Sequence, residues 1–362
     1  MWGPRYAMVD AWRGLASLGV VVDHLGRSFG FDLGHACVMT FFVISGYCIA
    51  AATDSCRRNQ VGFFGYMWRR VRRIYPPYIF ALCLFLVTRI VKIYAGMGNQ
   101  LSSSMTAWIQ NVTLTQWLSS LRHPTSFSFQ NPTLFVAGFW SLNYEEQFYF
   151  VMGLLLLSAT ALKKNMLTGV ALLALPAFAW NLWYPSRSYG FFLEYWVAFA
   201  LGGLVFYRLV QMPRRATRVT ADLGILALLL FSVWRSPTMQ AGQRSVYSEW
   251  VVTCSVALAL IYLRPWDGQF RASRAGKILG FFGLISYSLY LTHQCNLYAS
   301  AMLATTLIRW GLPQSMEFFL RIVFLVSVAT VFWFFCERPF LNRPLPLTRD
   351  LPISVTPPAG GI

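Results

Sequence analysis

The chain has 362 residues, of which only 12% are charged while 56% are hydrophobic and 17% aromatic, at a mean hydropathy of +0.50. Charged residues are about half as frequent as in a soluble domain, and so much apolar surface exceeds what one soluble core hides. The composition therefore implies a helical integral membrane protein and excludes disordered, collagenous and disulfide-stapled secreted classes.

Thirty Lys and Arg against 13 acids give a net charge of +17. In a soluble chain that excess would suggest nucleic acid. Here the bases bunch between apolar stretches, at 57–58, 69–73, 163–164, 208–218, 264–277 and 338–349. That alternation is what the positive-inside rule demands of a membrane topology, so no nucleic-acid partner is expected.

At about 20 residues per crossing, the hydropathy pattern predicts an all-α fold of about ten transmembrane helices. They lie near 11–28, 35–53, 74–93, 139–161, 166–184, 191–209, 222–235, 247–263, 279–300 and 316–336. Ten crossings put both termini on one side, and the basic clusters make that side cytoplasmic. The first apolar run holds Arg13, Asp23 and His24, so it is not expected to be a cleavable leader. The tail from Arg343 is rich in proline and is expected to be a disordered cytoplasmic segment over 343–362. No internal repeat of the kind that marks inverted-repeat transporters is visible.

The first span carries Arg13, Asp23 and His24. An ionisable residue at mid-bilayer costs about 2.5–3.5 kcal/mol on insertion scales, so this helix must face a wet or protein-packed interior. Arg13 and His24 are eleven residues apart, which at about 100° per residue leaves them about 20° out of phase and roughly 16 Å apart along the axis. One face thus presents a cation near the cytoplasmic mouth and a titratable base deeper in. Snorkelling of Arg13 and packing of His24 would be the bland alternative; the phasing favours a functional pair. Asp23 lies about 100° round the helix from His24 and is not expected to orient it.

In the second span Ser45 and Gly46 are small and suit close helix packing. The third follows Arg69-Arg70-Val71-Arg72-Arg73-Ile74-Tyr75-Pro76-Pro77, where the prolines suit a helix start. The guanidinium groups suit either phosphate or anionic lipid. The polar stretch 94–138, with Trp108 and Trp117, reads equally as cover for a sugar-binding mouth or as an interfacial aromatic belt.

The fourth span opens Trp140-Ser141-Leu142-Asn143-Tyr144-Glu145-Glu146-Gln147-Phe148-Tyr149. Acids at a helix start suit its dipole. Glu145 and Tyr149, at i,i+4, together with Trp140 also resemble how proteins hold sugars. In the ninth span Ser286, Tyr290 and His293 or Gln294 form a polar stripe, as a lined cavity requires. Glu337 closes the last span and reads as a local salt bridge or a helix-end partner. The seven cysteines lie mostly in apolar stretches without a CxxC, and read as packing residues with neither metal nor disulfide framework.

These segments, in this order, resemble the acyltransferase-3 family of integral membrane acyltransferases. The resemblance is carried by Asp10-x-x-Arg13-Gly14-Leu15 with Arg13-x10-His24, by Phe41-Phe42-Val43-Ile44-Ser45-Gly46-Tyr47, and by the arginine stretch before Ile74-Tyr75-Pro76. The Trp140 to Tyr149 run, Ser286-Tyr287-Ser288-Leu289-Tyr290-Leu291-x-His293 and Glu337-x-Pro339 complete it. The middle, 160–280, matches in hydropathy only.

The resemblance implies that 1–342 is one transmembrane domain of a multi-pass protein of the bacterial cytoplasmic (inner) membrane. It implies transfer of an acyl group, usually acetyl from acetyl-CoA, to hydroxyls of an extracytoplasmic glycan such as exopolysaccharide or lipopolysaccharide. Acyl-CoA then arrives from the cytoplasm, the glycan from outside, lipids surround both, and no metal is implied. Arg13 and His24 are the principal functional pair, and Glu145 is a functional acid expected to position His24 or the acceptor. Arg69, Arg70, Arg72 and Arg73 bind the acyl-CoA, in one of two overlapping R-x-x-R registers that the sequence leaves open. Trp140, Tyr149, Tyr290 and His293 are the expected acceptor-binding residues. A permease using the same intramembrane polar residues, without chemistry, is the rival reading.

Overall fold

The computed structural model describes residues 6–27, 29–97, 102, 104–120, 134–162, 166–184, 189–212, 214–236 and 245–341. Lys163, Lys164 and the tail from 343 lie outside them. All regular structure among the described residues is helical. The helices are α1 (Ala7–His24), α2 (Leu33–Arg58), α3 (Phe63–Tyr94), α4 (Met105–Thr113), α5 (Trp117–Ser120), α6 (Trp140–Leu162) and α7 (Met166–Trp183). They continue with α8 (Leu193–Val210), α9 (Arg215–Arg235), α10 (Val246–Tyr262), α11 (Asp267–Ala272), α12 (Arg274–Arg309) and α13 (Glu317–Phe332).

Each of the ten expected spans coincides with a helix, but seven of the described helices are long and apolar enough to cross a membrane, or eight if α10 and α11, bent by 50°, count as one. α1 and α6 fall outside that set. α1 holds Asp10, Arg13 and Asp23, and α6 opens with Asn143, Glu145, Glu146 and Gln147. Their polar residues turn inward, whereas α9 exposes Leu223, Leu226 and Leu230 and the last helix exposes Val331, Phe334 and Phe335. An apolar outside around a polar inside is the arrangement a bilayer solvates.

The prolines do not start α3. The helix runs from Phe63 through Pro76 and Pro77 to Tyr94, so the arginines occupy its second and third turns. Proline withdraws the N–H that would bond the carbonyl four residues back, here those of Arg72 and Arg73. Such a break is tolerated where neighbouring helices supply partners, and Tyr287 of α12 donates to the carbonyl of Ile74 at 3.1 Å in the same turn.

Two helix pairs approach backbone to backbone through glycine. A Cβ on Gly14 of α1 would lie 2.6 Å from the Leu279 carbonyl oxygen of α12, and one on Gly283 would lie 2.1 Å from that of Asp10. On α2 and α8, a Cβ on Gly46 would meet the Phe199 oxygen at 2.0 Å and one on Gly202 the Val43 oxygen at 1.8 Å. The packing role expected of Gly46 is thus met, and Ser45 beside it has a polar partner described below. Phe42, Tyr144, Phe148, Tyr195 and Phe199 fill the space between α2, α6 and α8 with edge-on and stacked ring contacts.

The two ends of the bundle differ. At one, Asp54 accepts from Arg58 at 2.8 Å and Gln211 at 2.7 Å, Arg208 forks onto Asp222 at 2.8 and 2.9 Å, and Asp267 accepts the Met8 N–H at 2.9 Å and Arg271 at 3.2 Å. The described parts of the basic clusters gather at this basic end. The opposite end carries His24, His35 and His293.

Candidate functional site

Helix α1 ends at His24, and the chain turns back to α2 through Asp32, whose side chain caps α2 by accepting the His35 N–H at 2.7 Å. The turn places both His24 and His35 in the lining of a cavity of about 250 Å³. Trp140, Tyr290, His293, Gln294, Asp23 and Asp32 also line it. The sequence has four histidines, and three of them meet here.

Hydrogen bonds fix the imidazole of His24. Gln294 accepts the Gly138 backbone N–H through Oε1 at 2.8 Å, so its amide nitrogen is the atom that faces His24 Nε2 at 2.8 Å. That nitrogen only donates, so Nε2 carries the lone pair. Nδ1 then carries the proton, which it donates to the Val20 carbonyl at 2.8 Å. The His293 ring lies 5.0 Å from that of His24, centroid to centroid. Its Nδ1 donates to the Leu289 and Tyr290 carbonyls at 3.0 and 2.8 Å, while its buried Nε2 has no hydrogen-bond partner. Tyr290 donates to the Gly138 carbonyl and accepts from Ser141 at 2.6 Å. His35 bonds Glu249 of α10 at 2.8 Å and stacks on Trp140, with ring planes 11° apart.

The arginine of the expected pair sits elsewhere. Arg13 donates to Cys48 Sγ at 3.2 Å and lies within electrostatic reach of Asp10, Glu145 and Tyr149. Eleven residues of continuous helix put it about 16 Å below His24, and it does not line the cavity. Around it gathers a second polar group. Glu145 accepts from Tyr149 at 2.6 Å and Ser45 at 3.2 Å. The Arg70 guanidinium lies 5.4 Å from the Tyr66 ring centre and 5.6 Å from that of Tyr149, with its buried Nε lacking a partner.

Glu337, for which the sequence leaves a local salt bridge or a helix-end role open, closes the last helix and belongs to this second group. A π-helical turn, Trp333–Glu337, ends α13. The buried Glu337 carboxylate accepts the Ser288 hydroxyl at 2.5 Å within reach of Arg73 and Arg13.

Of the expected acceptor-binding residues, Trp140, Tyr290 and His293 line the cavity, whereas Tyr149 lies with Glu145 and Arg70. Glu145 makes no hydrogen bond with His24; Gln294 does. Asp23 lines the cavity without bonding the imidazole, as its angle on the helix requires. Ser286 is spent on the Gly283 carbonyl at 2.9 Å. Among the arginines, Arg70 and Arg73 lie within electrostatic reach of Tyr149 in the second group, Arg70 and Arg69 within reach of Cys56, and Arg72 is exposed. The described part of 94–138 folds around Asn111, which accepts from Gln116 at 3.0 Å and the Phe135 N–H at 3.1 Å. All seven thiols are free, and Cys48, against Arg13, does more than pack.

Sequence reasoning missed Gln294 as the partner of His24, and missed His35 with Glu249. The signal for His35 was the scarcity of histidine. The partners themselves, 270 and 214 residues apart, leave none.

A family model described as an acyltransferase domain matches residues 6–338. O-acetyltransferase OatA of Staphylococcus aureus (strain NCTC 8325 / PS 47) is 28% identical over 160 residues, 43% of this chain and 26% of its own. A protein of S. aureus strain COL, named as a candidate O-acetyltransferase, is 24% identical over 309 residues, 79% of this chain and 49% of its own. The chain thus spans about a quarter and about half of the length of these relatives. No solved structure matches.

Proposed function

Since the chain belongs to the acyltransferase domain family, we propose that it is a membrane O-acyltransferase carrying an acyl group, acetyl in the simplest case, from acyl-CoA to a hydroxyl of an extracytoplasmic glycan. The observation that carries this reading is the lone pair of His24 Nε2, held towards a cavity walled by Trp140, Tyr290 and His293. Aromatic rings set beside hydrogen-bonding side chains suit a sugar ring and its hydroxyls.

The acceptor hydroxyl takes the place of the Gln294 N–H at Nε2. His24 removes its proton as general base. The oxygen bonds the thioester carbonyl carbon, the carbon–sulfur bond breaks, and the imidazolium returns the proton to the departing thiolate. Direct transfer of this kind leaves CoA and an ester as products. At the other end Arg70 and Arg73, with Arg13 beside them, attract the phosphates of the donor. This favours the second of the two arginine registers. The acyl-bearing arm of the donor then spans the rise from Arg13 to His24. The orientation that serves this reading has the basic end and both termini in the cytoplasm of a bacterial inner membrane, with ten crossings.

The test is glycan acylation in membranes that retain the protein. His24→Ala should lose about 10²-fold or more of the rate, and Arg70→Gln should raise KM for acyl-CoA more than it lowers kcat. Normal product from His24→Ala overturns the reading. Movement of a sugar across the membrane with no acyl donor present would favour a permease instead.

A further inference from the structure

A cleft of about 130 Å³ opens beside the His24 cavity, and the two share Ala137 and Gln294 as a common wall. Its remaining lining includes Thr88, Arg89 and Lys92 of α3 and the ring of Phe135. Arg89 and Lys92 are three residues apart on one helix, so they are neighbours on its surface, with Cβ atoms about 5–6 Å apart. Both are half-buried.

No carboxylate lines the cleft. The sequence holds no Asp or Glu between Asp54 and Glu145, so neither α3 nor the segment after it supplies one. Lys92 lies 5.3 Å from the ring centre of Tyr298, and Arg89 joins no ion pair among the described residues. Two like charges one turn apart repel each other, and partial burial without a counter-charge adds to the cost. An anion in the cleft would relieve both. A guanidinium fork beside a point ammonium suits a carboxylate or a phosphate. The Gln294 amide is committed to Gly138 and His24. It therefore stands as the divider between a cationic cleft and a basic imidazole.

We propose that this cleft binds the anionic group, carboxylate or phosphate, of an acidic glycan acceptor and thereby presents a neighbouring hydroxyl of that sugar to His24. The inference rests on the acyltransfer reading for the fate of the hydroxyl, but not for the binding of the anion. An acceptor lacking the charge loses an anchor, so the preference appears in kcat/KM between acceptors.

The experiment uses the full chain in phosphatidylcholine nanodiscs, with acetyl-CoA as donor and methyl glucuronide against methyl glucoside as acceptor probes. Equilibrium binding of both sugars is measured alongside. The glucuronide should be preferred about tenfold or more, the scale of a charge-assisted contact, and the preference should weaken with added salt. The Arg89→Gln, Lys92→Gln pair should bring the ratio of the two kcat/KM values towards one. The charge-preserving Arg89→Lys, Lys92→Arg pair should keep the preference, which separates lost charge from lost folding.

Equal binding and equal turnover of the two sugars by the unaltered protein overturn the proposal. So does a preference that survives Arg89→Gln, Lys92→Gln. The same measurements with phosphatidylglycerol in the nanodisc distinguish a lipid headgroup as the source of the anion. If Arg89 and Lys92 matter only to a phosphatidylglycerol effect, the cleft is a lipid site and the acceptor proposal falls. If neither sugar is acylated yet the glucuronide binds through Arg89 and Lys92, the acyltransfer reading fails while the anion site stands.

Discussion

His24 owes its chemical state to three groups that hold no charge. The Val20 carbonyl takes the Nδ1 proton, the Gly138 N–H turns the Gln294 amide, and the amide selects the tautomer with Nε2 bare. Gln294 is therefore a positioning residue for the proposed base. Gln294→Leu keeps the approximate volume and removes the amide. Its kcat should fall about 10- to 100-fold, the cost of a misdirected catalytic group, while KM for acyl-CoA holds, because the arginines lie at the other end of α1. A rise in that KM with kcat unchanged would mean that Gln294 serves the donor site, and would sink its positioning role. At this scale the sequence revealed residue types, such as Arg13 and His24 inside an apolar run, but not their partners. Glu145 was legible as a functional acid through the family resemblance, yet its bonds go to Ser45 and Tyr149. Nothing in a local pattern could have exchanged it for Gln294.

The elements show where periodicity suffices and where it misleads. Apolar runs located a helix at each of the ten expected positions, because the same apolar composition that marks a span in the sequence also favours a helix that can sit in lipid. The start of α3 was misread, because Pro76 and Pro77 break a soluble helix but are accommodated inside this one. The glycine contacts make the firmest statement about packing. Gly46→Val would drive a side chain into the Phe199 carbonyl of α8, and overpacking of this kind typically costs about 1–3 kcal/mol. Thermal unfolding in detergent, followed by aggregation of the full chain, should show a clear drop in midpoint. Gly224→Ala on α9, where a Cβ meets nothing within 4 Å, should be neutral or slightly stabilising. Equal behaviour of the two variants would contradict close packing of α2 on α8.

For the whole molecule the two chemically different ends make the proposed orientation testable. Under the proposed orientation, a cysteine placed at Asn59, in a variant stripped of its native cysteines, should react with a membrane-impermeant thiol reagent in inverted vesicles and not in intact cells. A cysteine at Gly30, beside the His24 turn, should show the reverse. The opposite pattern would overturn the assignment of the basic end to the cytoplasm, and with it the route proposed for acyl-CoA.

By itself the sequence determined the class of the molecule, the approximate positions of ten of its helices and the bunching of its bases. Those properties follow from the composition and period of short stretches, which the chain carries wherever it folds. Only the tertiary structure decided that His24, His35 and His293 share one cavity, that Arg13 belongs to a different polar group, and that Arg89 and Lys92 border the site. Each of these depends on contacts between residues far apart in the chain, and such contacts are settled by which helices pack together, a choice that no local periodicity records.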